Sequence, residues 1–192
     1  MTATIYLVRH GDTKWSPERR LAGRTDLPLT GDGEANATKL APRLAQLHFD
    51  RVFTTPLVRA RRTAELAGFA ERAVVDPRLI EMSFGDYEGR TVQEIRVERP
   101  GYAYLKDGCP NGETAADLGA RVDDWLAEQR DGTVLVFAHS VIMRVLTARF
   151  LGFPPEAGRH FFFAPVAIGL LGFDAVEAAP AVQAWNDRSH LL

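Results

Sequence analysis

The sequence predicts an α/β fold, a three-layer sandwich whose mostly parallel sheet carries helices on both faces. Short apolar runs alternate with segments whose apolar residues recur at helical spacing, the order expected of strand–helix–strand units. Two of the runs, residues 5–8 and 134–138, are apolar without interruption, as strands buried on both faces are. Both give way to a histidine, His10 after Arg9 and His139 after Ala138. Strands that stop in this way deliver polar groups to the carboxyl edge of a sheet, where open α/β folds place their ligands. A chain of 192 residues suits one domain spanning 1–192, large enough to bury a core without disulfide or metal.

The elements follow in order. After the first strand a polar loop runs to about residue 28. Within residues 1–24 the cations Arg9, Lys14, Arg19, Arg20 and Arg24 outnumber the anions Asp12 and Glu18, against a net charge of −2 for the whole chain. Thr30 is an N-cap for a helix that turns Ala37, Leu40, Ala41, Leu44 and Leu47 inward. Pro42 should kink or break it. A second strand, 51–55, ends at Pro56, which suits the first turn of a helix burying Leu57, Ala60, Ala64 and Leu66 or Ala67. Arg59, Arg61 and Arg62 in its first two turns oppose the helix macrodipole, so a bound anion at that strand-to-helix turn would suit them. Residues 73–75 are a third strand, and a strand-like run leads on to Glu81. A loop with Phe84, Gly85, Tyr87, Glu88 and Gly89 follows, then a short helix near 91–98 and a surface excursion to Gly112. Thr114 and Asp117 form a capping box for a helix burying Leu118, Val122, Trp125 and Leu126. The strand at 133–138 is the strongest in the chain and precedes a helix with Ile142, Val145, Leu146 and Phe150. Residues 161–163, 167–173 and 181–185 read as closing strands.

The near-neutral charge gives no reason to expect nucleic acid or an anionic membrane as partner. No apolar run approaches the roughly 20 residues that span a bilayer. The start Met-Thr-Ala-Thr-Ile-Tyr has no secretory pattern, and the single cysteine, Cys109, permits no internal disulfide. A cytoplasmic setting is expected. Oligomeric state stays open, with a homodimer as one option.

Converging strand ends would place Arg9, His10, Arg59 and His139 in one crevice. Guanidinium forks match phosphate bidentately and stay charged at working pH. A neutral imidazole can attack phosphorus, and a second histidine can stabilise the oxygens. A departing alkoxide needs a proton, and Glu81 is the candidate donor.

These residues carry a resemblance. Arg9-His10-Gly11-Asp12-Thr13 with Trp15, Asp26-Leu27-Pro28-Leu29-Thr30 with Gly33, and Thr55-Pro56-Leu57-Val58-Arg59-Ala60 with Thr63-Ala64 recur in the order of one family, followed by Glu81, Phe84-Gly85, Glu88-Gly89 and Val136-Phe137-Ala138-His139. Over about residues 4–173 the chain resembles the histidine phosphatase, or phosphoglycerate-mutase-like, superfamily. The resemblance implies His10 as the phosphorylated nucleophile, Arg9, Arg59 and His139 as the rest of the phosphate pocket, and Glu81 as proton donor. It implies no cofactor and no metal. Lys14, Ser16, Gly23, Arg24 and Ser140 are candidates for substrate binding, and Lys14, Arg19, Arg20 and Arg24 could hold a distal phosphate or carboxylate of the substrate. The chain departs from the family pattern at Asp12, where Glu is commoner, at Ser16, where Asn touches phosphate, and at Ser140-Val141, where Gly-Gly is usual.

Residues 107–114 resemble those of broad-specificity acid phosphatases and sedoheptulose-bisphosphatase-type enzymes. The expected activity is metal-independent hydrolysis of small phosphomonoesters, such as sugar phosphates or bisphosphates. The alternatives are mutase-type phosphoryl transfer and a non-catalytic module that binds phosphorylated ligands. Cys109 does not fit a cysteine phosphatase, because position 115 is Ala115 where that chemistry requires Arg. His48, His160 and His190 are isolated, and no P-loop signature occurs. Trp15, Trp125, Trp185 and Phe161-Phe162-Phe163 read chiefly as packing residues, with Trp15 near enough to line the cleft.

Overall fold

The two uninterrupted apolar runs lie side by side. The computed structural model describes residues 3–192, so Met1 and Thr2 of the start discussed above fall outside it. Strand β1 (Thr4–Arg9) pairs in parallel with the strand Thr133–Ala138, with Thr4 opposite Thr133 and Arg9 opposite Ala138. The described strands are β1, β2 (Arg51–Thr54), β3 (Ala73–Val75), β4 (Thr133–Ala138), β5 (Ile168–Phe173) and β6 (Pro180–Asp187). They form one sheet in the order β3-β2-β4-β1-β5-β6. The first four are mutually parallel, and β5 and β6 add an antiparallel edge. The helices are α1 (Gly31–Thr38), α2 (Leu40–Leu44), α3 (Val58–Leu66), α4 (Val92–Glu98), α5 (Tyr104–Asp107), α6 (Ala115–Glu128) and α7 (Ser140–Phe150).

Alternation along the central strands sorts the core into two layers. Ile5, Leu7, Val134, Val136 and Ala138 pack with Leu118, Val122 and Trp125 of α6 and Val145 and Leu146 of α7. Val8, Leu135 and Phe137 pack with Ala37, Leu40, Leu44 and Ala64 of α1–α3. Successive side chains of a strand leave opposite faces, so helices must cover both. Each large apolar side chain so buried contributes about 1.5–3 kcal/mol. The sandwich is the one read from the sequence.

Several local expectations are corrected. The helix at residues 30–47 breaks at Lys39, three residues before Pro42. A proline ring collides with the carbonyl four residues back, here Thr38, where α1 ends. Pro42 then occupies the first turn of α2, where a missing N–H removes no helical bond. With α2 ending at Leu44, Leu47 is 38% exposed and does not face the core. The run before Glu81 contains a 3-10 turn, Pro77–Leu79, and is not a strand. The stretch to Gly112 is no surface excursion, since Tyr102 and Leu105 are buried and Tyr102 packs edge-on against Tyr87. Residues 161–163 form no strand. Phe163 is buried, but Phe162 is 71% exposed at the mouth of the cleft described next.

Candidate active site

The register of β1 against β4 brings the two histidines together. The His10 N–H donates to the Ala138 carbonyl at 3.0 Å, and the two imidazole centroids are 5.1 Å apart. Both sit at the carboxyl end of the parallel strands. Arg59, the second residue of α3, reaches the same edge with only 1% of its surface exposed. Thr63, one turn on, locks α3 to the end of β1: its Oγ1 accepts the Gly11 N–H at 3.1 Å and donates to the Arg59 carbonyl at 2.7 Å. On the other side Gly11 and Gly33 touch backbone to backbone. A Cβ on Gly33 would lie 2.3 Å from the Asp12 carbonyl oxygen, so α1 can approach only without side chains.

A cleft of about 360 Å³ opens over these groups. Arg9, His10, Arg59, Glu81, Ser16, Gly23 and Ser140 line it. His139 lies beneath, fully buried, with its Nε2 2.8 Å from Thr55 Oγ1. Lys14 and Arg24 are not brought into the cleft. The Lys14 ammonium lies 5.9 Å from the Trp15 ring centre, and Arg24 pairs with Glu113 at 3.2 Å. Ser16 faces the cleft with its oxygen already accepting the Thr13 N–H at 2.9 Å. Arg19 and Arg20, expected with Lys14 and Arg24 to hold a distal anionic group of the substrate, do line the cleft. So do Phe84 and Tyr104, which the sequence reading left without a role, and Phe162, which it undervalued. The motif words Thr55, Thr63 and Glu88 were visible, but their contacts were not.

Electrostatics favour an anion here. Arg9 is held by one bond, from Nη1 to the Phe163 carbonyl at 2.6 Å, and burial lowers its pKa to about 10, which leaves it cationic at neutral pH. Burial also lowers that of Arg59, against the pull of Glu81. The buried Nε of Arg9, the Nε of Arg59 and the Nδ1 of His139 have no hydrogen-bond partner among the described residues. Buried donors left unmatched cost about 1–3 kcal/mol each, and an oxyanion would satisfy the two Nε–H groups, and His139 Nδ1 in the tautomer that protonates it. His10 and His139 are both held well below the ordinary imidazole value, chiefly by burial and then by the positive field of Arg59. His10 Nδ1 lies 2.7 Å from the Gly11 carbonyl, which can only accept. Nδ1 therefore carries the proton, and Nε2 keeps a free electron pair.

Glu81 is anchored by the start of α7. Its Oε1 accepts the N–H groups of Met82 and Ile142 and its Oε2 that of Val141, each at 3.0 Å. A carboxyl group offers about four lone-pair positions, so one position on Oε2 stays open for a proton.

Paired histidines and arginines gather at the carboxyl edge of a parallel sheet, with a tethered carboxylate beside them, in a protein of the α/β class. The chain belongs to the histidine phosphatase superfamily (branch 1), whose sequence model matches residues 5–188. It is 31% identical to the probable phosphoglycerate mutase GpmB of Escherichia fergusonii, over 97% of this chain and 94% of that one. Among solved structures it is similar to the product of an open reading frame of Mycobacterium tuberculosis (TM-score 0.89, 30% identity, covering 97% of this chain and 98% of that one). It is also similar to the alpha-ribazole phosphatase of Shigella flexneri (TM-score 0.82, 26% identity, covering 96% of each chain). No described helix is long and apolar enough to cross a membrane.

Proposed function

We propose that the protein hydrolyses small phosphomonoesters through a phosphohistidine, without a metal. His10 Nε2 attacks phosphorus as the ester P–O bond breaks, and Glu81 gives its proton to the leaving oxygen. An alcohol departs and phospho-His10 remains. Glu81, now a carboxylate, takes a proton from water as that water attacks phosphorus. The P–N bond then breaks, which returns the electron pair to His10 and the proton to Glu81. Arg9, Arg59 and His139 hold the equatorial oxygens, and His139 becomes easier to protonate once a dianion offsets the arginines.

The observation that carries hydrolysis over transfer is the outer lining. Beyond His10 and the buried arginines it includes Trp15, Leu21, Phe84, Tyr104 and Phe162, with Arg19 and Arg20 as its further cations. Arg20 is already engaged by Glu18 at 2.6 Å and by the Gly89 carbonyl at 2.8 Å. A mutase must grip a second anionic group, and of the two further cations in this lining one is already paired with Glu18. Chain length does not separate the readings, because the mutase-named relative is matched over 94% of its own length. Mutase-type transfer keeps one support. Tyr104 also lines a second hollow of about 150 Å³, where Arg96, Lys106, Arg144 and Arg159 gather.

The test is turnover of a panel of phosphomonoesters, sugar bisphosphates and phosphoglycerates, following both released phosphate and transferred phosphoryl. Phosphate release that persists in excess chelator and is abolished in His10→Ala is the expected result. Loss of activity with chelator, or turnover retained by His10→Ala, would overturn the mechanism.

A further inference from the structure

We infer that Glu88 is a positioning residue of the phosphate pocket and acts through Arg59. This rests on reading the cleft as a phosphate site. Glu88 does not line the cleft, yet its carboxylate is fully committed. Oε1 accepts the Arg24 N–H at 2.9 Å and the Phe84 N–H at 3.4 Å. Oε2 accepts the Thr25 N–H at 2.8 Å and the Thr25 hydroxyl. Four donors meet about four lone-pair positions.

The opposite side of the same short segment holds Arg59. The Gly23 carbonyl accepts from Nη2 at 2.7 Å and the Thr25 carbonyl from Nη1 at 2.9 Å. The Gly23 carbonyl and the Arg24 N–H belong to one peptide unit, and in a trans peptide they point opposite ways. That unit therefore joins carboxylate to guanidinium in a single hydrogen-bonded line, in which each bond polarises the next. Glycine at position 23 permits this. Its φ is +50°, and a Cβ there would lie 2.1 Å from Glu88 Oε1. With two N–H groups of Arg59 fixed on carbonyls, its orphaned Nε is aimed by the segment that Glu88 shapes.

Electrostatic sign separates this role from a bulk field. A carboxylate near an anion site repels the anion, so if Glu88 acted only through its charge, Glu88→Gln would tighten phosphate binding. If it positions Arg59, the same change weakens binding, because an amide NH2 cannot accept the Thr25 donors. The experiment measures the dissociation constant of inorganic phosphate by calorimetry for wild type, Glu88→Gln, Arg59→Ala and the double variant. Glu88→Gln should weaken binding by about tenfold or more in the wild-type background and less than about twofold in the Arg59→Ala background. Unchanged or tighter binding in Glu88→Gln, or an equal loss in both backgrounds, would overturn the assignment. If Glu88→Gln does not fold, Thr25→Val removes one hydroxyl donor and should give a smaller loss with the same dependence on Arg59. No loss in Thr25→Val would count against the role. Failure of wild type to bind phosphate would remove the pocket reading itself, whereas normal wild-type binding with an unaffected Glu88→Gln removes this inference alone.

Discussion

His10 and Glu81 divide the chemistry, and their surroundings explain the division. His10 is kept neutral by burial and two guanidinium groups, with its tautomer fixed by the Gly11 carbonyl. Glu81 is kept in place by three backbone donors that leave one oxygen position for the transferable proton. The two roles can be tested apart. Glu81→Gln should slow an alkyl phosphate by about 10²–10⁴-fold, the usual worth of general acid catalysis. It should slow p-nitrophenyl phosphate much less, because that leaving group departs as a stable anion. Equal losses on both substrates would show that Glu81 serves geometry and not proton transfer. His10→Ala should remove turnover of both alike.

Among the elements, those whose sequence carried their own signature were legible. Strands β1 and β4 were readable because a strand buried on both faces needs no alternation, and α6 because Thr114 and Asp117 satisfy each other's backbone N–H groups. The short α5 has no periodicity to show, and Phe162 looks like its buried neighbour Phe163. Within the site, residue types announced Arg9, His10, Arg59 and His139. Two of the donors to Glu88 are the backbone N–H groups of Arg24 and Thr25, more than sixty positions away, and backbone donors leave no trace in residue identity. The meeting of α1 with the end of β1 was likewise hidden, although both glycines were visible. Gly33→Ala would push a methyl group into the Asp12 backbone, which cannot yield as a flexible side chain does. It should lower the melting temperature and kcat together. An alanine variant of normal stability and rate would show that the helix can shift without cost to the site.

For the molecule as a whole, the two buried histidines make stability depend on acid. The unfolded chain takes up protons on these imidazoles near pH 6.5, whereas burial and the arginines hold the folded values well below that. Their contribution is therefore complete above about pH 6.5 and lost as pH falls below it, by about 1.4 kcal/mol per unit for each histidine until the folded value is reached. Denaturant midpoints at pH 7.5 and 5.5 should differ more for wild type than for His139→Gln, which removes one of the two titrations. Equal differences would refute this account. The pairing of Thr4 with Thr133 has a further consequence, for the order in which the chain folds. The opening strand finds its parallel neighbour only after most of the polypeptide has been made, and closing so long a loop is slow. Neither histidine has its companion until then, and Arg59 and Glu81 arrive on still other segments. Partly folded chains should thus be silent and not merely weak, so recovery of turnover on refolding times the completion of the sheet.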